Sequence, residues 1–425
     1  MLVIVILFVL LALLLFSVPV AATMASLGLF ISNVFSDYPL HRAMGEVTWS
    51  SGTDFLLMSI PLFVLLGEIL LQTDIAERTY IALDRWLSWL PGGLMQANVA
   101  TSAMFSATSG SSVATAATIT TVAIPQARVY KYSESLFSGS IAAGGTLGIL
   151  IPPSINLIVY GFLTNTSIPQ LFIAGIVPGI LLAILFMVII LLACLIWPGL
   201  GGEKRVSSWK LRFSSLADLI PVLIIFFIVI GSIYTGFATP TESAALGVVA
   251  SLMLAAFYRK LSFKMLKKSI EGTMRTTAMI MLILTAANFL NFTLVTIGLT
   301  DDLSDFINSL NMTPLQTLMV IITMYVVLGF FIETLSLMVI TIPIVTPVIV
   351  EMGFDRVWFG ILLILLIEMA LITPPVGLNL YVVQGVRRRG KISEVMVGSM
   401  PFVVMLVLML AILVIFPGLP LIFLQ

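Results

Sequence analysis

The chain is organised as long apolar blocks separated by short segments that hold most of its charge. A helix needs about 20 apolar residues to cross hydrocarbon. By that measure spans are predicted at roughly 2–31, 51–72, 134–161, 170–197, 217–238, 240–257, 274–299, 356–386 and 395–424. Two further apolar stretches, 93–127 and 314–350, each carry a polar cluster halfway. In the first it is SATSGSS at 106–112; in the second it is Glu333, Thr334 and Ser336 within FFIETLS. Each is predicted to be a helical hairpin whose tip ends inside the protein, because exposed polar backbone is not tolerated in lipid.

Two spans contain the same interruption. Gly145 to Tyr160 reads GTLGILIPPSINLIVY, and Glu368 to Tyr381 reads EMALITPPVGLNLY. A tandem proline removes two backbone donors and clashes with the preceding turn, so each helix must break. Other pairs recur at nearly the same offset: Pro19 with Pro240, Pro91 with Pro314, Ser109-Gly110 with Ile332-Glu333, and Pro125 with Pro347. Basic clusters at Arg128 and Lys131, at Lys204, Arg205, Lys210 and Arg212, at 259–268 and at 387–391 belong on the cytoplasmic side. Even numbers of spans separate them if both hairpins are re-entrant. The expected fold is therefore an all-α polytopic membrane protein, an inverted repeat with two re-entrant hairpins and two Pro-broken helices. Its N-terminus would be cytoplasmic, as a retained first helix, and its C-terminus on the opposite side.

Composition narrows the function classes. The chain is 60% hydrophobic and 9% charged with no net charge, which speaks against a nucleic-acid partner. One cysteine, Cys194, and one histidine, His41, leave little for thiolate or imidazole chemistry. Segments 74–90 and 259–268 are predicted as amphipathic helices lying on the inner surface.

Candidate chemistry lies at the tips and breaks. Thr108, Ser109, Gly110, Ser111 and Ser112 expose hard oxygen ligands suited to an alkali cation. The Pro-Pro breaks free carbonyls near Gly148 and Ile149 and near Ala370 and Leu371, and Asn156 and Asn379 add an amide each. Glu333 is costly in mid-membrane, roughly 2.5 to 3.5 kcal/mol on insertion scales. It can bind substrate, hold a cation, carry a proton, or bond backbone donors at the tip. Glu242 poses the same question; Glu68 and Glu368 are read as structural, and Asn288 and Asn291 as helix glue.

The duplicated PP break, the SGSS and FFIETLS tips and the TPTESAALG segment together resemble the large membrane subunit of the tripartite ATP-independent periplasmic (TRAP) transporters. The resemblance covers essentially the whole chain and leans towards members importing sialic acid. It implies an elevator-type transporter of the ion transporter superfamily and not an enzyme. It would have no cofactor, with Na⁺ as coupling ion, and would sit in the bacterial inner membrane. The implied partners are a small four-helix membrane subunit, a periplasmic substrate-binding protein, the lipid bilayer and a small organic acid.

Carried over residue by residue, the resemblance places sodium at Ser109, Gly110, Gly148, Pro152, Asn156, Thr373, Pro374, Gly377 and Asn379. Glu333, with Ser111, Ser112, Thr334, Ser336, Pro153 and Pro375, would face substrate. Many relatives carry Asp where Glu333 stands. The implied division is scaffold helices and a surface helix at 1–90, transport elements at 91–165, and a scaffold helix and cytoplasmic loop at 166–216. A linker helix and second scaffold follow at 217–312, transport elements at 313–390 and a last scaffold helix at 391–425. The alternatives are a C4-dicarboxylate or other carboxylate substrate, a stand-alone carrier of the same superfamily, and a channel. An intramembrane protease lacks a Ser-His or paired-Asp arrangement, since Asp301, Asp302 and Asp305 lie at a span end.

Overall fold

The structure, a computed structural model, describes residues 9, 12, 13, 16, 18–203, 208–299 and 312–424. The start of the first expected span, Lys204, Arg205 and the 301–305 acidic cluster lie outside these residues. The first half comprises α1 (Val20–Val34), α2 (Met44–Gly52), α3 (Ser59–Leu71), α4 (Ile75–Leu87), α5 (Gly93–Ser109), α6 (Ser112–Val129), α7 (Glu134–Leu150), α8 (Ile155–Thr164) and α9 (Ile168–Ile196). The short α10 (Trp209–Ser215) and α11 (Ile220–Tyr234) lead into α12 (Pro240–Phe257), α13 (Phe263–Thr296), α14 (Pro314–Gly329) and α15 (Thr334–Glu351). The chain ends with α16 (Arg356–Ile372), α17 (Leu378–Arg387) and α18 (Ile392–Ile415).

Among the described residues there is no strand, and six helical stretches are long and apolar enough to cross a membrane. Both expected hairpins are present, α5–α6 and α14–α15, and both Pro-Pro helices break, α7–α8 and α16–α17. The Pro152-Pro153 and Pro374-Pro375 bonds are both cis.

The two broken helices form the centre and run antiparallel. The Tyr160 hydroxyl at the far end of α8 donates to the Arg356 carbonyl at the start of α16, 2.7 Å away. At the other end the Arg387 guanidinium of α17 donates to Glu134 at the start of α7. Every residue of α7 from Leu136 and of α16 from Val357 is buried. Lipid offers apolar residues no reason to leave it, so close contact here depends on small side chains that let backbones approach. At Gly139 a Cβ would lie 2.0 Å from the Gly398 carbonyl oxygen, and at Gly398 one would lie 1.9 Å from the Ser135 carbonyl oxygen. The α7–α18 contact is thus built on backbone. Outer helices show the complementary pattern: Ile180, Ile184, Val188 and Leu192 make an exposed apolar stripe on α9 at four-residue spacing.

Two expectations are corrected. The basic stretch 259–268 forms no separate surface helix. Ser262 caps the N-terminus through the Met265 N–H, and the chain then continues as one 34-residue helix with its lysines on the exposed side of the first turns. No proline interrupts it, and Gly272, where a breaker was conceivable, is packed against Glu68. The last span ends at Ile415 instead of 424, where Pro417 and Pro420 follow in turns. Pro125, Pro343 and Pro347 sit inside continuous helices. The predicted surface helix at 74–90 is present as α4, with Ile75, Ala76, Thr79, Tyr80 and Ala82 buried beneath its charged face.

Candidate functional site

The first tip turns at Gly110, whose φ of +60° is one that side chains rarely adopt. A Cβ there would stand 3.0 Å from the Pro153 carbonyl, and a Cβ at Gly148 would stand 3.0 Å from the Ser111 carbonyl. The tip is therefore seated on the first break at backbone contact distance. Ser111 caps α6 by accepting from the Ala114 N–H at 3.4 Å, and Ser109 shares a 2.8 Å hydroxyl bond with Thr115. Beyond the break, Ser154 caps α8 through the Leu157 N–H. The local sequence reading did not identify this cap.

The second tip is capped in the same way by a different residue. The Glu333 carboxylate accepts from the Leu335 and Ser336 N–H groups at 3.1 and 3.0 Å and from the Thr334 and Ser336 hydroxyls at 3.0 and 2.9 Å. Glu333 and Ser111 are equivalent N-caps 222 residues apart. Of the roles open to Glu333, the geometry displays the bond to tip donors. Glu242 is likewise engaged at a helix start, where as the N3 residue it closes a capping box with the N-cap Thr239. Asn288 donates to Ser51 at 2.8 Å and joins two helices, as expected of glue.

Both tips meet in one cavity of about 280 Å³. Gly110, Ser111, Ser112, Asn156, Glu333 and Thr334 line it, and Thr276, Met279 and Ile280 of α13 form the facing wall. The second break contributes Leu371 and Leu378 from either side of its turn. The other candidates stand outside its lining. Ser109, Gly148, Pro152, Pro153, Ser336, Gly377 and Asn379 are buried; Thr373 and Pro374 are half-buried and Pro375 is exposed. The first break is thus sealed and the second partly open. Pro375 gives its carbonyl to the Tyr381 hydroxyl.

A residue assigned above to structure is central here. Glu368 is fully buried on α16, and its carboxylate accepts from the Ser112 hydroxyl at 3.1 and 3.3 Å. Its partner lies 256 residues away, so no local signal marks it. The intramembrane position of the carboxylate was the available clue. Nearby, the Asn379 amide nitrogen donates to the Ala142 carbonyl at 3.1 Å, leaving its buried Oδ1 without a partner. A Cβ on Gly145 would touch both Asn379 Nδ2, at 3.0 Å, and the Ser112 carbonyl, at 3.1 Å. The small Gly145 thus lets the Asn379 amide approach the Ser112 carbonyl, and an unpartnered amide oxygen such as Asn379 Oδ1 is a hard ligand of the kind a cation takes. Among the described residues no group of three or more His, Cys, Asp or Glu side chains is assembled. The Asn156 amide nitrogen, buried at the cavity wall, has no acceptor and is free to donate to a ligand.

A family model described as the tripartite ATP-independent periplasmic transporter, DctM component, matches residues 7–419. The C4-dicarboxylate TRAP transporter large permease protein DctM of Pseudomonas aeruginosa is 32% identical over 380 residues, covering 89% of this chain and 88% of that protein. The sialic acid TRAP transporter large permease protein SiaM of Vibrio cholerae is 33% identical over 372 residues, covering 86% and 85%. The isethionate TRAP transporter permease protein DctMQ of Oleidesulfovibrio alaskensis is 30% identical, and the match covers 89% of this chain but 60% of that longer protein. Among solved structures, the YdaH transporter of Alcanivorax borkumensis has a TM-score of 0.65 at 14% identity, covering 95% of this chain and 98% of its own. That likeness concerns the fold alone.

Proposed function

Since the chain belongs to the DctM component family of the tripartite ATP-independent periplasmic transporters, a family of multi-pass membrane permeases, we propose that it is the large subunit of a sodium-coupled importer of a small organic acid. The observation that carries this reading is the single cavity in which both hairpin tips and the flanks of both breaks face α13. A substrate held there would touch parts of both halves at once, so its occupancy reports on both tips.

In this reading the substrate is delivered by a periplasmic binding protein, a small membrane subunit completes the assembly, and the site is in the bacterial inner membrane with the basic loops cytoplasmic. The hairpins and broken helices at 91–165 and 313–390 move together as the transport unit past a scaffold that includes α13. Sodium would be held by Asn379 Oδ1 and by carbonyl and hydroxyl oxygens of the first tip. Its charge would offset Glu368 and that of an anionic cargo, so the loaded unit would cross the membrane without the penalty of an unpaired buried charge. Asn156 and Thr334 orient the cargo, while Ser111 and Glu333 keep the two tips shaped by capping them.

Sialic acid is the first substrate reading, from the resemblance of the sequence as a whole; a C4-dicarboxylate is the second, since relatives of both kinds are about equally similar. The test is uptake of labelled N-acetylneuraminate and succinate into proteoliposomes containing this chain and its small subunit. Uptake should require both an inward sodium gradient and the binding protein. Sodium-driven uptake without the binding protein would replace this reading with the stand-alone carrier.

A further inference from the structure

A second cavity, of about 400 Å³, opens at the opposite end of the molecule from the basic loops. It lies between α15, the α8–α9 turn, the start of α16 and the last turns of α13. Its polar lining is Thr164, Asn165, Asn291, Thr346 and Arg356, and among the described residues no carboxylate lines it. Thr164 is engaged with the Tyr160 carbonyl and the Thr166 hydroxyl. Thr346 is 8% exposed, and its hydroxyl oxygen has no partner. The Arg356 side chain is exposed at the N-terminus of α16. The nearest acid in sequence, Asp355, is occupied in capping that helix through the Trp358 N–H at 2.8 Å.

We propose that this cavity is an outer vestibule that binds the carboxylate of an organic acid on its way to the tips, with Arg356 and Thr346 as the anchoring pair. A guanidinium offers a planar fork that matches a carboxylate, and the positive end of α16 adds to it. An unpaired buried hydroxyl supplies a further donor. The volume lies within the range of small-ligand sites. The vestibule and the tip cavity share two walls. α13 lines one with Asn291 and Val295 and the other with Thr276 and Ile280, while α15 runs from Glu333 at the tip to Thr346. Fifteen residues of helix place Asn291 about 22 Å from Thr276 along one seam. A carboxylate captured outside thus lies at one end of the path whose other end is the transport site. This inference rests on the organic-acid reading above.

The test uses the chain's single native cysteine, Cys194, which is buried. A Val350→Cys variant introduces a reporter thiol at the vestibule lining and leaves the anchoring pair intact. N-acetylneuraminate or succinate, added to the purified two-subunit membrane complex without binding protein, should slow its labelling by N-ethylmaleimide at least threefold. Arg356→Ala in the same background should abolish that protection, and Arg356→Lys should restore part of it. In proteoliposomes Arg356→Ala should raise KM about tenfold with kcat little changed. Protection by neither acid, or protection undiminished by Arg356→Ala, would overturn the vestibule. So would loss of capture of the unloaded binding protein with no change in labelling, which would make Arg356 a protein contact. Wild-type uptake, measured in parallel, separates these outcomes from failure of the organic-acid reading itself.

Discussion

The Ser112 hydroxyl reaches both carboxylate oxygens of Glu368, at 3.1 and 3.3 Å, and so ties the tip of the first hairpin to the broken helix of the opposite half. Both residues are buried, Glu368 completely. A carboxylate so placed depends heavily on its few donors. Ser112→Ala should lower stability by about 1 to 3 kcal/mol, the cost of leaving a buried acceptor unsatisfied. Glu368→Gln should recover much of that loss in the double variant. Thermal midpoints of the four proteins form the cycle; strictly additive losses would mean that the contact carries no coupling.

Glu333 distinguishes a cap from a substrate contact. Because its carboxylate serves four donors of its own tip, Glu333→Asp, itself a good N-cap, should retain most uptake. Glu333→Ala should lose tenfold or more by loosening the tip, with kcat falling along with affinity. A pure KM effect in both variants would instead place the carboxylate on the substrate.

The α7–α18 contact should be intolerant of a single methyl group. Gly139→Ala and Gly398→Ala each force a side chain into backbone 2.0 Å away or closer, so the helices must separate. Little folded protein should be recovered from either in a detergent chromatography assay. Gly45→Ala, where nothing lies within 4 Å, should behave as wild type.

Arg387 is 2% exposed at its side chain and bridges Glu134 and Glu394, which are themselves more than 40% exposed. Solvent screens the acids but not the arginine, so Arg387→Ala should cost on the order of 2 kcal/mol, between the surface and fully buried cases. Arg387→Met, which keeps volume without charge, should cost less. A thermal shift of equal size in both would assign the effect to charge alone.

The parts of this fold that were legible in the sequence are those encoded locally. Tandem prolines at 152–153 and 374–375 and polar clusters within apolar runs at 106–112 and 333–336 mark breaks and tips by themselves, and the α4 surface helix by its charged face. The lysines at 264–268 carry no such mark, because the first turns of a long membrane helix and a separate surface helix share one composition. Glu368 lies in a run that is uninformative by sequence, and only the fold brings Ser112 to it. The role of Glu333 as a cap was open from sequence, since an N-cap is defined by backbone dihedrals and not by residue type alone. The unequal exposure of the two breaks was invisible for the same reason: near-identical PP motifs sit in different packing.

The central claim is that a cation joins the first tip to the segment beyond the second break, and the orphaned Asn379 Oδ1 is where it is most exposed to test. The direct measurement is the initial rate of labelled acid uptake against sodium concentration, in proteoliposomes containing wild type, Asn379→Ala or Ser109→Ala, each checked for folded recovery. The account predicts at least a tenfold rise in the sodium concentration for half-maximal rate in Asn379→Ala and a smaller rise in Ser109→Ala, whose hydroxyl is shared with Thr115. Unchanged sodium dependence in both folded variants would contradict it and remove the first tip from the coupling site.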